Sequence, residues 1–196
     1  MDIHRRIQSS AGCWALLCLA YLLLDGAIGM TSAAQISLEI IEARLSSKEL
    51  VVRYRISNKG KTLAQYISGT AKESWPTMPF LRADYAQKVL HVALTIAECP
   101  TDRFIEVPYA YRLDRLEPSA TVEKSLSIRR PLLENPPYAT TENKSVIDVR
   151  DHLKALRLYI GVLLRPDADK AQDVYIGCAN SVKSEDYTII TSEKKF

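Results

Sequence analysis

The stretch 50–58, LVVRYRISN, constrains the fold of this chain more than any other. Successive side chains of a strand point to opposite faces, whereas a helix would scatter the apolar residues of this stretch around its axis. The pattern therefore predicts a strand with one apolar and one solvated face, ended by the turn residues 58–61. Its apolar residues recur at every second position: Leu50, Val52, Tyr54 and Ile56.

Alternation of the same kind recurs along most of the chain from residue 36 to residue 191. Strands at this spacing, with turn residues between them, predict an all-β antiparallel β-sandwich. No strand–helix–strand order recurs, which disfavours a parallel α/β sheet. The strongest further strands are predicted at 89–97, 105–113 and 156–164, and weaker ones at 36–40, 63–68, 121–128, 174–178 and 187–191.

Four segments depart from this alternation. Residues 69–88 have poor periodicity and contain prolines, so we expect a long loop or an edge excursion. Residues 131–138 are proline-rich and are expected to be extended without strand partners. Residues 145–154 fit a helical stripe, which predicts a short helix. The tail 192–196 is expected to be frayed.

The first 34 residues differ in kind from the rest of the chain. Arg5 and Arg6 precede fourteen uncharged, mostly apolar residues at 11–24, and small residues follow at 31–34. This order is typical of a secretory signal peptide, cleaved after Ala33 or Ala34. The alternative is an uncleaved anchor, but the apolar run is shorter than the roughly 20 residues that span a bilayer. We expect a secreted or periplasmic protein with no stable membrane span after cleavage, and a single domain over 35–191.

Two cysteines, Cys99 and Cys178, remain after the predicted cleavage. An oxidising compartment favours a disulfide between them, and the alternative is a pair of buried thiols. Closing a loop of about 80 residues would stabilise the fold by about 4–5 kcal/mol in the chain-entropy model. We expect no metal and no cofactor, since the cysteines lack the neighbouring ligands that zinc requires.

The order of elements resembles that of an immunoglobulin-like or fibronectin-like module. It runs strand, polar turn, strand, then the turn 116–118 before another strand, and a long apolar strand near the end. The resemblance covers most of 36–191 and implies a β-sandwich. No tryptophan stands between Cys99 and Cys178, so the immunoglobulin set is incomplete.

Residues that could support catalysis are few. His152 follows Asp148 and Asp151, and an aspartate could orient its imidazole as in a hydrolase, but no nucleophile elbow accompanies them. His91 lies on the strand face opposite Leu90 and Val92, which favours a surface or structural role. The acidic run 167–173 lacks the third acid and the glycine of a calcium loop. The net charge of +3 predicts no nucleic-acid binding.

Two groups of aromatic residues are candidate binding surfaces. Trp75, Met78 and Phe80 would anchor a partner if exposed, or would cap the open end of the sandwich if they fold back. Tyr109 and Tyr111 lie on a predicted edge strand, which could accept a partner strand or block one with its proline.

The export signal, the all-β pattern and the missing catalytic set together favour a non-enzymatic exported protein that binds a protein or envelope component. Secreted proteinase inhibitors are one version of this class. The alternatives are a secreted hydrolase that uses His152 with Asp148 and Asp151, and a structural subunit of an extracytoplasmic assembly.

Overall fold

Ten β-strands and one 3-10 turn form the part of the chain that the computed structural model describes, residues 35–70, 79–102, 109–138, 145–149, 152–164 and 173–196. These residues contain no α-helix, so the all-β prediction is confirmed. The predicted signal segment lies outside the described residues. The strands are β1 Ile36–Leu45, β2 Glu49–Asn58, β3 Ala64–Thr70, β4 Phe80–Asp84, β5 Val89–Leu94, β6 Ala110–Leu116, β7 Thr121–Arg129, β8 Ala155–Leu164, β9 Val174–Ile176 and β10 Tyr187–Lys195, with the 3-10 turn at Ala179–Ser181.

The strands form two sheets. The small sheet has the order β1-β2-β7, and the large sheet has the order β4-β5-β8-β3-β6-β9, with β10 added on β8. The alternating stretch that opened the sequence analysis is β2, the centre of the small sheet. Its four apolar side chains are at most 3% exposed and join β8 residues in one hydrophobic core.

Strand β8 organises the large sheet. On one side it pairs along its whole length with β10. On the other side β5 pairs with its first part, Ala155–Ile160, and β3 pairs with its last part, Val162–Leu164. The β5–β8 pair is parallel, whereas the other strand pairs among the described residues are antiparallel. The prediction of a purely antiparallel sandwich is therefore wrong at this pair.

Strands β1 and β10 close one side of the sandwich. The backbone N–H of Ile40 donates to the Ser192 hydroxyl at 3.2 Å, and the Lys194 ammonium donates to the carbonyl of Ile41. A bulge between Ile40 and Glu42 interrupts the register of β1 at this point. These contacts satisfy backbone groups of β1 that do not bond to β2.

The predicted fraying of 192–196 is wrong. Strand β10 stays in register with β8 as far as Lys195, which pairs with Ala155. The backbone N–H of Phe196 then donates to Lys154 at 3.0 Å. The polar composition of this tail reflects its position at the seam with β1, where a lysine and a serine bond to backbone.

The predicted short helix at 145–154 is also wrong for the residues described there. The backbone N–H of Ile147 donates to the Leu132 carbonyl at 2.8 Å, and Val146 forms an antiparallel bridge with Leu133. Val146 is 62% exposed, whereas Ile147 and Val149 are buried. Exposed and buried side chains therefore alternate with the two-residue period of an extended chain. Adjacent β-branched residues favour this conformation over a helix. The same contacts give the proline-rich segment 131–138 the partner that the sequence did not predict.

Strand β4 lies inside the segment predicted as a loop, of which residues 71–78 are outside the described part. Its edge is covered by the neighbouring segment. The Asn135 side chain accepts from Leu81 N–H at 2.6 Å, and the Glu134 carboxylate accepts from Ala83 N–H at 3.1 Å. These side chains replace the missing neighbouring strand.

Candidate functional site

The two faces of the large sheet have different surroundings. The even-numbered residues of β8, such as Leu158 and Ile160, point into the core, and the odd-numbered residues, such as Arg157 and Tyr159, point away from it. We call this second side the outer face. One part of it is sealed by loops and the other part is open.

The sealed part is covered by a cluster of tyrosines that hold two loops. The Tyr111 hydroxyl accepts from Ala97 N–H at 2.9 Å, and the Tyr187 hydroxyl accepts from Ile96 N–H at 3.0 Å. Burial raises the pKa of Tyr187 to about 12. We call this group the tyrosine cluster; it consists of Tyr109, Tyr111, Tyr138, Tyr175 and Tyr187.

The predicted disulfide ties the same loops. Cys99 and Cys178 are bonded, with their Cα atoms 5.3 Å apart. The Tyr138 hydroxyl lies 3.6 Å from each of the two sulfur atoms. The bond joins the loop after β5 to the loop after β9, so both ends belong to the large sheet. In antibody domains the conserved disulfide joins the two sheets instead.

The aromatic residues proposed as binding anchors do not form one exposed surface. Phe80, Tyr109 and Tyr111 are 7%, 8% and 0% exposed. The Tyr109 hydroxyl accepts from the backbone N–H of Tyr138 at 2.9 Å, so this ring holds the chain in place. The exposed-anchor hypothesis is therefore not supported at these three positions, because their rings are used in packing. Trp75 and Met78 lie outside the described residues.

The open part of the outer face carries a groove of about 520 Å³, which we call the outer groove. Strand register places four charged or titratable side chains in one row: Arg82 on β4, His91 on β5 and Arg157 on β8, which line the groove, and Glu193 on β10, beside Arg157. Phe80, Tyr159 and Ile189 also line it. Tyr187 lies two residues before Ile189, on the same side of β10, so the outer groove adjoins the tyrosine cluster.

Side chains in the outer groove hold one another in place. Arg157 donates to Glu193 at 2.5 and 2.8 Å. The Tyr159 oxygen lies 2.7 Å from His91 Nδ1, and the two rings are nearly parallel, with an interplanar angle of 20°.

The electrostatics of the outer groove favour a neutral imidazole. Burial lowers the pKa of His91 below its ordinary value of 6.5, and the nearby Arg157 guanidinium lowers it further. Arg82 is exposed and has no hydrogen bond or ion pair among the described residues, so its charge is available to a ligand.

A second hollow, of about 510 Å³, lies beside β6 and β7. Its centre is Asp114, which accepts from Lys124 at 3.0 Å, Ser68 at 2.9 Å and Tyr66 at 3.2 Å. Burial alone would raise the pKa of Asp114, but these donors outweigh it and hold the pKa below its ordinary value. Burial raises the pKa of nearby Tyr54 to about 12. The carboxylate is occupied by these bonds, so we assign it a structural role.

The candidate hydrolase residues lie at a different place. His152 is exposed, and its ring meets the Tyr85 ring edge to face at 6.3 Å between centroids. The Asp148 backbone N–H donates to the Tyr85 hydroxyl at 3.1 Å. Asp151 lies outside the described residues, as does most of the acidic run 167–173.

Within the described ranges, no cluster of three or more histidine, cysteine, aspartate or glutamate side chains is arranged to hold a metal ion. No helix in the described part of the chain has the length and apolarity needed to cross a membrane.

Comparison with known proteins identifies no family. No family model matches the chain, and no curated protein matches it. Two solved structures that match weakly are the β-glucosidase from Kluyveromyces marxianus in complex with glucose and the selenomethionine-labelled β-glucosidase from the same yeast. Their sequences are 8% and 7% identical to this chain, and both TM-scores are 0.25. Each match covers 82% of this chain but only 14% and 15% of the length of the two β-glucosidase chains. Matches this weak carry no argument about fold or function.

Apart from Phe80, the residues of the outer groove were not predicted as a site. The alternation placed His91 on the polar face of its strand, and the structure confirms that it faces away from the core. Its neighbours come from strands distant in sequence. Only the strand register brings Arg82, Arg157 and Glu193 beside it.

Proposed function

We propose that this protein is an exported, non-enzymatic binding module that holds a protein or an envelope component against the outer groove. The observation that carries the proposal is the open row of Arg82, His91, Arg157 and Glu193 beside the Tyr159 ring. Charged and aromatic side chains on a rigid sheet are suited to recognition.

The contrast between the two parts of the outer face supports this assignment. The tyrosine cluster and the disulfide seal one part, and the rings of Tyr109 and Tyr111 are buried there. The outer groove instead exposes hydrogen-bond donors of fixed position, because Glu193 and Tyr159 hold Arg157 and His91 in place. A pre-organised site loses little side-chain entropy on binding.

The compartment and the finer fold class are parts of the same proposal. An export signal over 1–34 and the Cys99–Cys178 disulfide together favour a secreted or periplasmic location, since such bonds persist in oxidising compartments. The two-sheet architecture supports an immunoglobulin-like sandwich. The parallel β5–β8 pair and the loop-to-loop disulfide would be departures from the antibody pattern.

The test is capture of a partner from the culture fluid or envelope of the source organism, with the oxidised protein as bait. Arg82→Glu and Tyr159→Ala should each lose the captured component, because the first reverses an available charge and the second removes the aromatic wall. Arg53→Ala is the matched control, since Arg53 is an exposed cation on the outer side of the small sheet. Equal capture by all variants would refute the groove assignment.

A further inference from the structure

Strand β7 forms an edge that no described residue covers. The Arg130 N–H donates to Lys48 and the Asn58 N–H donates to Ala120, so the even-numbered residues of β7 bond to β2. In an antiparallel ladder the backbone groups of the other residues point the opposite way. The free edge therefore presents the N–H and C=O groups of Thr121, Glu123, Ser125, Ser127 and Arg129.

The other long edges are covered. Glu134 and Asn135 bond to β4, and β1 and β10 lie against each other with side-chain bonds between them. An uncovered edge of nine residues is a template for another strand. On its core side Val122, Leu126 and Ile128 are only half-buried, and a further strand would cover their exposed flank.

We infer that β7 pairs antiparallel with β7 of a second copy of this chain, which joins two small sheets into one continuous sheet. A pairing centred on Leu126 places Glu123 directly opposite Arg129 of the other copy, twice by symmetry. Arg129 is exposed and has no ion pair among the described residues. The same pairing sets Ser125 opposite Ser127, and Leu126 faces its own counterpart.

Charge favours this register over its neighbours. A pairing centred on Ser125 would set no opposite charges against each other, because Glu123 would face Ser127 and Arg129 would face Thr121. A pairing centred on Lys124 would oppose two lysines, and one centred on Glu123 would oppose two glutamates, which is destabilising. Lys124 points inward, as charges that guard an edge often do. Here Asp114 already neutralises it at 3.0 Å, so an added strand would not bury an unpaired charge.

The experiment measures the molar mass of protein expressed from the full-length sequence by sedimentation equilibrium over a range of concentrations. We expect a monomer–dimer equilibrium for the wild type. Glu123→Arg and Arg129→Glu should each weaken self-association at least about tenfold, because each puts like charges opposite each other. An equimolar mixture of the two variants should dimerise again, since the mixed pair restores opposite charges at both contacts between positions 123 and 129. Thermal melts of each variant confirm that it is folded.

Three results would overturn the proposal: a wild type that stays monomeric up to its solubility limit, folded variants that dimerise as strongly as the wild type, or a mixture that stays monomeric. Ser125→Pro gives an independent check. It removes an edge-facing N–H that β2 does not use, so it should prevent dimerisation while the fold is retained. Ser125→Thr keeps the N–H and should dimerise.

Discussion

The Tyr111 hydroxyl accepts a hydrogen bond from the Ala97 backbone N–H at 2.9 Å, beneath the loop that follows β5. Tyr111 is fully buried and Ala97 is 4% exposed, so water cannot replace this bond. A tyrosine that the sequence presents as an anchor for a partner thus anchors the chain's own backbone.

Tyr111→Phe should lower the free energy of unfolding by about 1–3 kcal/mol, because it leaves the Ala97 N–H buried without an acceptor. Tyr85→Phe is the matched control, since the half-exposed Tyr85 also accepts a backbone N–H, from Asp148. It should change the unfolding free energy by no more than about 0.5 kcal/mol. Urea denaturation measures both, and equal losses would contradict the burial argument.

Loss of the Cys99–Cys178 bond should destabilise the protein strongly. The two cysteines are 79 residues apart, and the chain-entropy model assigns about 4–5 kcal/mol to a loop of that length. Urea midpoints with and without reductant measure the loss. The double variant Cys99→Ser/Cys178→Ser should match the reduced protein and should not respond to reductant. An unchanged midpoint on reduction would show that the bond constrains the unfolded chain little.

The stability of the protein should fall in acid partly through Asp114. Its pKa is lower in the folded state than its ordinary value of 3.8, so the unfolded chain binds the proton more tightly. The contribution of Asp114 to the free energy of unfolding is complete above pH 3.8 and is lost as the pH falls through the pKa of the folded state. In Asp114→Asn, the free energy of unfolding should fall less steeply as the pH is lowered in the acid range. The control Glu117→Gln, at an exposed position, should leave this slope unchanged. Equal slopes for wild type and Asp114→Asn would contradict this.

The pKa of His91 should rise when Arg157 is replaced by glutamine. Burial remains in this variant, but the repulsion from the guanidinium is removed. An NMR titration of the His91 ring protons measures the shift. The wild-type midpoint should lie below 6.5, so any stability linked to His91 is complete above that pH and declines below it. An unchanged His91 midpoint in Arg157→Gln would exclude the charge effect.

Several elements could be predicted from local pattern. The alternation at 50–58 is strand β2, and the apolar run at 156–164 is the central strand β8. Both carry enough β-branched and aromatic residues to exclude a helix. The pairing of Cys99 with Cys178 followed from their number alone, because two cysteines in an oxidising compartment have one partner each.

Other elements could not be predicted from local pattern. The residues at 145–149 carry apolar spacings that suit a helix as well as a strand, and contact with Leu132 and Leu133 decided between them. The tail 192–196 is polar and has no strand signal of its own, yet β8 pairs with it as far as Lys195. In both cases a distant partner supplies the hydrogen bonds.

The sequence by itself determined the fold class and the alternation of inward and outward side chains, because these depend on the two-residue period of a strand. The tertiary structure alone decided which strands are neighbours. That choice buried Tyr109 and Tyr111, aligned Arg82, His91 and Arg157 in the outer groove, and left β7 at an open edge. Register between distant strands depends on the packing of the whole core, which no local pattern contains.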